Sequence, residues 1–321
     1  MTRPVAVTCG DPEGIGPEVA VAAWASLRQA GELGRDDAVL LGPQELWGRA
    51  ADLVGLDGSL RAELPTVDVS PDDAGDYAHI PEIAAVATAV RGCLDGRYGA
   101  VCTGPVHKKS LLDRGFPFQG HTPYLAWLCG LSPEEAVMVF AGGRLRVALA
   151  TVHRPLRDVP DTLALRDIVW AGRAAQDLLT RGLGLDAPRV AVCGLNPHAG
   201  EDGALGDEEQ RIVTPAVGVL KRQGVDAHGP FPADTLFPAA ARGDWDLVIA
   251  LYHDQGLIPV KTLDFGDSVN VTAGLPIWRT SVDHGTARDI AWGKGTASPR
   301  HMVSALRMAR RLATSPGGTP S

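Results

Sequence analysis

The chain has 321 residues, enough for one large domain or two of ordinary size, each with its own core. Hydrophobic residues make up 45% of it and charged residues 21%, which excludes disorder along the whole length. The net charge is -8 and the longest internal basic cluster is His107-Lys108-Lys109, so nucleic acid is set aside as a partner, while a local group of Arg, Lys and His can still hold a small anion.

The apolar run Val5–Thr8 has strand character and leads into Gly10-Asp11-Pro12-Glu13-Gly14-Ile15-Gly16-Pro17-Glu18. That turn contains Gly-x-Gly but not the full G-x-G-x-x-G spacing of a Rossmann loop. A helix pattern follows over Pro17–Gln29, with Pro at its first position and Glu18 in its first turn. Ala38–Leu41 is the next strand, Ile80–Asp95 a helix, and Ala100–Thr103 a strand ending in Gly104-Pro105-Val106-His107. Gly120-His121-Thr122-Pro123 opens a helix over Pro123–Leu128. A helix start suits an anion, and His121 and Thr122 add donors to it; a plain Thr cap before Pro explains the same residues equally well. Ala136–Phe140 and Arg146–Thr151 are strands, the second followed by Val152-His153-Arg154. After a helix over Leu163–Thr180 and a strand over Arg189–Cys193 comes Gly194-Leu195-Asn196-Pro197-His198, then a helix over Asp207–Gln223. Gly229-Pro230-Phe231-Pro232 is a turn into another helix, where Asp234 is either a cap or a polar site group. The strand Leu247–Leu251 ends in Tyr252-His253-Asp254-Gln255. Lys261, Asn270 and Arg279 come next; near a metal, the Lys and Arg suit a phosphorylated or carboxylated substrate, and otherwise they form surface salt bridges. Asp283-His284-Gly285-Thr286, continuing to Gly295, is dense in Gly and polar residues and lets a nucleotide approach the backbone, unless it is only a long surface loop. A helix over Pro299–Leu312 and a frayed, turn-forming tail close the chain.

Strands alternating with helices predict an α/β fold with a largely parallel sheet, and such sheets bind ligands at the carboxyl ends of their strands. That rule places His153, His198 and His253 on one rim. Singly, each is a hydrogen-bonded loop histidine. Together they make a three-nitrogen metal site with positions left open for substrate, with Asp254 either orienting a ring or capping locally. Five scattered cysteines with no CxxC pair fit free thiols in a reducing compartment. No secretory signal and no apolar stretch of about 18–20 residues is present, so a cytoplasmic protein without membrane or nucleic-acid partners is expected.

The segments GDPEGIGPE, GHT, the His after TV, LNPHAGEDG, GPFPADTLF, YHDQGLIPVK and GLPIWRTSVDHGTA, in this order, resemble the 4-hydroxythreonine-4-phosphate dehydrogenase family of pyridoxal phosphate synthesis. The first and last segments also resemble isocitrate and isopropylmalate dehydrogenases. The resemblance implies a two-domain α/β/α fold with a non-Rossmann NAD site and the active site in the interdomain cleft. It implies an NAD-binding domain over 1–134 and 277–321, and a metal-binding and dimerisation domain over 135–276. Implied roles are metal ligation by His153, His198 and His253, and substrate contact by His121, Thr122, Lys261, Asn270 and Arg279. Asp234, Lys261 and a metal-bound water are the alternatives for the proton acceptor. His284, Gly285, Thr286 and Asp289 are assigned to the cofactor. The expected ion is Zn²⁺, with Co²⁺, Mn²⁺ or Mg²⁺ as alternatives. The implied enzyme is a homodimer whose active site is shared across the subunit interface, oxidising 4-phosphohydroxy-L-threonine with NAD and then releasing CO₂.

Two departures bear on the substrate: Pro123 replaces a Glu common in relatives, and Phe265-Gly266-Asp267-Ser268 puts an acid near the expected phosphate pocket. Dehydrogenases of threonate or erythronate 4-phosphate and of aromatic carboxylate dihydrodiols are therefore the alternative. An acyl-phosphate transferase of related fold would not need the three histidines, and a non-catalytic metal-binding protein is the remaining alternative.

Overall fold

The computed structural model describes residues 3–69, 71–264, 266–294, 296–315 and 317. Phe265, Gly295 and most of the tail, all singled out from the sequence, lie outside them. The described residues form two compact units, one of those up to 133 together with those from 275 onward, the other of those between 134 and 274.

In chain order the first unit begins with β1 (Val5–Thr8), α1 (Gly16–Gln29), β2 (Ala38–Leu41), α2 (Gln44–Val54) and β3 (Thr66–Val67). It continues with α3 (Pro81–Leu94), β4 (Ala100–Thr103) and α4 (His121–Leu128). The second unit holds β5 (Val137–Ala141), β6 (Arg146–Leu149), α5 (Leu165–Asp177), β7 (Arg189–Cys193), α6 (Thr214–Arg222), β8 (Asp226–Phe231), α7 (Ala233–Ala241), β9 (Leu247–Ala250), α8 (His253–Leu263) and β10 (Val269–Ala273). The chain then returns to the first unit with β11 (Arg279–Ser281) and α9 (Arg300–Ala313).

The first unit's strands run β3-β2-β1-β4-β11, all parallel. Every residue of β1 and β4 is buried, as expected of strands covered on both faces. α1 packs against α2 and α9, burying Trp24 and Trp47 completely. The turn from β1 into α1 depends on glycine. Gly10 has φ +66°, and a Cβ there would lie 2.6 Å from the Pro105 carbonyl oxygen and 2.8 Å from the Gly104 carbonyl carbon. Gly10→Ala is therefore expected to cost about 2–4 kcal/mol, combining a left-handed Ala with a backbone clash; the urea midpoint of the variant measures it.

The second unit departs from the largely parallel expectation. Its order is β10-β5-β6-β9-β7-β8, and the β10/β5 and β5/β6 pairs are antiparallel, whereas β6/β9, β9/β7 and β7/β8 are parallel. β6, β9 and β7 thus end on one rim, carrying the segments that hold His153, His253 and His198 respectively. Two expected helices are broken by wide turns: Leu178–Gly182 after α5 and Glu209–Val213 before α6 are π-helical.

Candidate functional site

Three parallel strand ends in the second unit are joined by two buried side chains. Thr151, just past β6, donates its hydroxyl to the Leu251 carbonyl past β9 at 2.7 Å. Gln255 accepts from Leu251 N–H at 2.7 Å and donates to the Gly194 carbonyl past β7 at 2.7 Å. The chain of bonds Thr151–Leu251–Gln255–Gly194 fixes the spacing of the three histidine-bearing segments.

On that base the His153 and His253 rings lie 5.8 Å apart between centroids, tilted by 37°. They border a cavity of about 280 Å³ shared with Val152, Arg154, Tyr252 and Asp254. His253 Nδ1 lies 2.8 Å from Asp254 Oδ1. A carboxylate only accepts, so Nδ1 carries a proton, which in the neutral tautomer leaves the Nε2 lone pair for a ligand. These two rings suit a divalent ion. Asp234 lines a neighbouring groove of about 630 Å³, largely apolar in its lining, which also touches Tyr252 and Asp254.

His198 sits differently. It is exposed, on a turn in which His198, Ala199, Gly200, Glu201 and Asp202 all have positive φ, between 41° and 80°. Left-handed helical backbone costs a non-glycine residue about 1–2 kcal/mol, so four such residues within five positions need support from outside the turn. Among the described residues no group of three His, Cys, Asp or Glu side chains is placed to hold an ion. His153 and His253 are the two rings that the structure shows side by side. Lys261 is exposed near the end of α8, and Asn270 on β10 has its Oδ1 buried without a hydrogen-bond partner.

In the first unit Arg279 and His121 meet in the interior. Thr103 Oγ1 accepts from Arg279 Nε at 3.1 Å and from Nη2 at 2.7 Å, and Nη2 lies 3.4 Å from His121 Nδ1. Arg279 is 5% exposed; burial lowers its pKa to about 10. Burial, with the Arg279 charge, lowers His121 to about 3. A guanidinium only donates, so His121 Nδ1 must accept and Nε2 carries the proton; Nε2 is buried with no partner. The interior thus presents a cation and a neutral N–H donor, a pair that suits an anionic oxygen. Thr122, at the start of α4, is half-buried beside them in sequence.

The His121 shift has a sign that can be tested. Folded protein refuses this proton until about pH 3, whereas the unfolded chain takes it near 6.5. Stability from this group is therefore complete above 6.5 and drains away as pH falls toward 3. In His121→Gln that drain is absent. Against wild type, the variant's unfolding free energy is expected to improve steadily across this window, as read from urea midpoints at a series of pH values.

The loop after β11 is knitted to the loop after β1. Ile15 N–H donates to Thr286 O at 2.9 Å, and Trp292 Nε1 donates to Pro12 O at 2.9 Å. Arg288 bridges Asp11 Oδ2 at 2.7 Å and Glu13 Oε2 at 2.8 Å, with Asp11 almost fully buried. His284 donates Nδ1–H to the Gly285 carbonyl at 2.9 Å, and its Nε2 is buried without a partner. The His301 ring stands edge-on to it at 5.4 Å. Thr286 is buried and Asp289 exposed.

Sequence reasoning missed Thr103, Thr151, Glu209, Gln255, Arg288 and Trp292. Gln255 stood inside a conspicuous His-Asp-Gln-Gly segment. For Thr103 and Glu209 no local signal exists, because their partners lie 176 and 13–14 residues away.

Residues 60–309 match the family described as pyridoxal phosphate biosynthetic protein PdxA. A 4-hydroxythreonine-4-phosphate dehydrogenase from Xanthobacter autotrophicus is 44% identical, over 97% of this chain and 93% of its own. The crystal structure of 4-hydroxythreonine-4-phosphate dehydrogenase from Klebsiella pneumoniae superposes with a TM-score of 0.81 at 37% identity, covering 98% of this chain and 99% of that one. A terephthalate 1,2-cis-dihydrodiol dehydrogenase from Burkholderia xenovorans gives a TM-score of 0.69 at 31% identity, over 97% and 98% of the two chains. An isocitrate dehydrogenase from Methylococcus capsulatus, 14% identical with a TM-score of 0.50 over 94% and 83%, shares the fold alone.

Proposed function

The chain belongs to the pyridoxal phosphate biosynthetic PdxA family, and from that premise we propose that it oxidises 4-phosphohydroxy-L-threonine with NAD in the presence of a bound divalent ion. In the proposed reaction the C3–H bond gives its electron pair, as hydride, to NAD, and the hydroxyl proton leaves to a base. The product, 2-amino-3-oxo-4-phosphooxybutanoate, is a β-keto acid. Its carboxylate carbon departs as CO₂, the bonding pair moves toward the ketone, and reprotonation of carbon gives 3-amino-2-oxopropyl phosphate.

The observation that carries this reading is the pair His153 and His253 at adjacent parallel strand ends beside a cavity, with Asp254 fixing the His253 tautomer. His153, His253 and His198 are the proposed ligands. A divalent ion held by them, Zn²⁺ in first place and Co²⁺, Mn²⁺ or Mg²⁺ otherwise, would supply a Lewis acid that acidifies a bound alcohol and polarises the ketone it becomes. In this proposal the enzyme is a homodimer whose active site, with its metal ligands, is shared across the subunit interface.

The chain's own groups have separate tasks in this proposal. Arg279, with the His121 Nε2–H and Thr122, binds and orients an anionic group of the substrate. Asn270 offers a buried amide oxygen that has no partner. Lys261 adds a second cation. Asp234, Lys261 or a metal-bound water takes the hydroxyl proton; what supports Asp234 is that the groove it lines shares Tyr252 and Asp254 with the histidine cavity. The loop holding His284, Gly285, Thr286 and Asp289 receives the dinucleotide, whose nicotinamide would accept the hydride. None of the helices among the described residues is long and apolar enough to cross a membrane.

A second reading has one observation in its favour, the 31% identity to a terephthalate dihydrodiol dehydrogenase over nearly the whole chain. A buried Arg holds a carboxylate as readily as a phosphate. NADH formation by the purified protein separates them: turnover of 4-phosphohydroxy-L-threonine is expected. Turnover only of a carboxylated aromatic dihydrodiol, or of threonate or erythronate 4-phosphate, would replace the first reading with the second or with a phospho-sugar-acid relative.

A further inference from the structure

We infer that Glu209 is a positioning residue for His198, its buried carboxylate holding the left-handed turn in the shape that presents that ring. The inference rests on the proposed reading of His198 as a metal ligand.

The turn has bonds of its own: Ala199 N–H to Asn196 O, Ala204 N–H to Glu201 O and Leu205 N–H to Gly200 O. These close it on itself, while its four non-glycine residues would by themselves favour right-handed backbone. Support comes from Glu209, 3% exposed, at the start of the π-helical Glu209–Val213 segment. Its Oε1 accepts from Leu195 N–H and Asn196 N–H, both at 2.7 Å. Its Oε2 accepts from Asn196 Nδ2 at 3.0 Å, and Asn196 Nδ2 also donates to Glu208 Oε2 at 2.7 Å.

Leu195 and Asn196 are the last two residues with an N–H before Pro197, so Glu209 grips the chain immediately ahead of the reversed backbone. It also packs under the middle of the turn: a Cβ on Gly200 would lie 2.6 Å from Glu209 Oε2. A carboxylate buried this far is costly unless hydrogen bonds satisfy it, and here the three N–H donors all come from the turn's entry. Gln255 fixes the base of the same segment at Gly194 O. The base and the entry of the loop are thus pinned by two different side chains, and Glu209 also lies against Gly200 in the middle of the turn.

The test uses full-length protein stripped of metal and titrated with Co²⁺, reading both affinity and the visible Co²⁺ spectrum. His198→Ala is expected to weaken binding and change the spectrum. Glu209→Ala is expected to weaken binding about 10–100-fold, the usual effect of removing a group that orients a ligand, with the same spectral change. Glu209→Gln, whose amide oxygen keeps both backbone acceptor roles, is expected to recover most of the affinity. In the double variant Glu209→Ala should add nothing to His198→Ala, because it acts through that ring.

Wild-type affinity in Glu209→Ala while His198→Ala is weakened overturns the inference and leaves the ligand assignment standing. Additional weakening in the double variant also overturns it, since Glu209 would then support the unit in general. Unchanged binding in His198→Ala removes the ligand assignment, and the inference with it. If Glu209→Ala does not fold, Glu209→Asp keeps the charge but withdraws it by one methylene, and the same loss is expected; wild-type affinity there overturns the inference.

Discussion

Replacing His253 with Ala is expected to remove bound divalent metal from the purified protein and to lower kcat about a thousandfold. The size follows from the several kcal/mol that Lewis-acid stabilisation supplies, each ~1.4 kcal/mol being a factor of ten in rate. Asp254→Asn is the finer probe. In the structure Asp254 accepts from His253 Nδ1 at 2.8 Å, so an amide there can present its NH₂ and favour the wrong tautomer. Its expected cost is about 10–100-fold in metal affinity, well short of losing the ligand. Elemental analysis of the variants, beside NADH turnover, separates the effects. His253→Ala with full metal content would sink the assignment of this ring. Equal losses in the two variants would show that Asp254 does more than orient it. Because His253 opens α8 and is only half-buried, neither change should unfold the protein.

The α/β class was legible because β1, β2, β4, β7 and β9 are short apolar runs between helical patterns, and such runs mark strands covered on both faces. β8, β10 and β11 were not. β8 contains His228-Gly229-Pro230, a turn signal by any local rule, and β10 and β11 interleave Asn, Thr, Arg and Ser. Their strand state comes from pairing with residues remote in the chain. The antiparallel β5/β6 pair did have a local trace, a connection of a few residues containing Gly142-Gly143 that only antiparallel neighbours can use, whereas the β10/β5 pair had none. The same distinction holds for the candidate site. Residue types that carry chemistry, such as His153, His253 and Arg279, stood out by position and motif. That His153 and His253 become neighbours depends on β6 pairing with β9, about a hundred residues apart, and strand order is not written in either segment. The residues that support the rings, Thr151, Gln255 and Glu209, bond to partners across the sheet or the loop. A polar residue in an apolar surrounding carries no mark of which distant carbonyl it will meet.

Arg279→Gln is expected to lower kcat/KM for the phosphorylated substrate by several hundredfold, and Arg279→Lys by less. On the proposed reading the guanidinium gives charge-assisted bonds worth about 1.5–3 kcal/mol each to an anion held away from water. Lys keeps the charge but loses the planar fork, so a part of that binding survives. The split between constants tells what the bonds are for. A rise in KM at constant kcat means that they hold substrate and transition state alike; a shared fall in kcat means that they tighten as hydride leaves.

The pH dependence gives an independent check with a definite sign. Burial lowers the Arg279 pKa to about 10, so the cation that binds the anion is lost as pH rises through that value. Wild-type KM should therefore climb on approaching pH 10, while the already weak Arg279→Gln lacks this rise. Stability runs the other way. Above about 10 the unfolded chain holds the proton more firmly than the folded one, so removing this group's charge does not weaken the fold. A variant that melts early yet keeps wild-type KM would make Arg279 a structural residue tied to Thr103 and His121, and would take the anion site away from it.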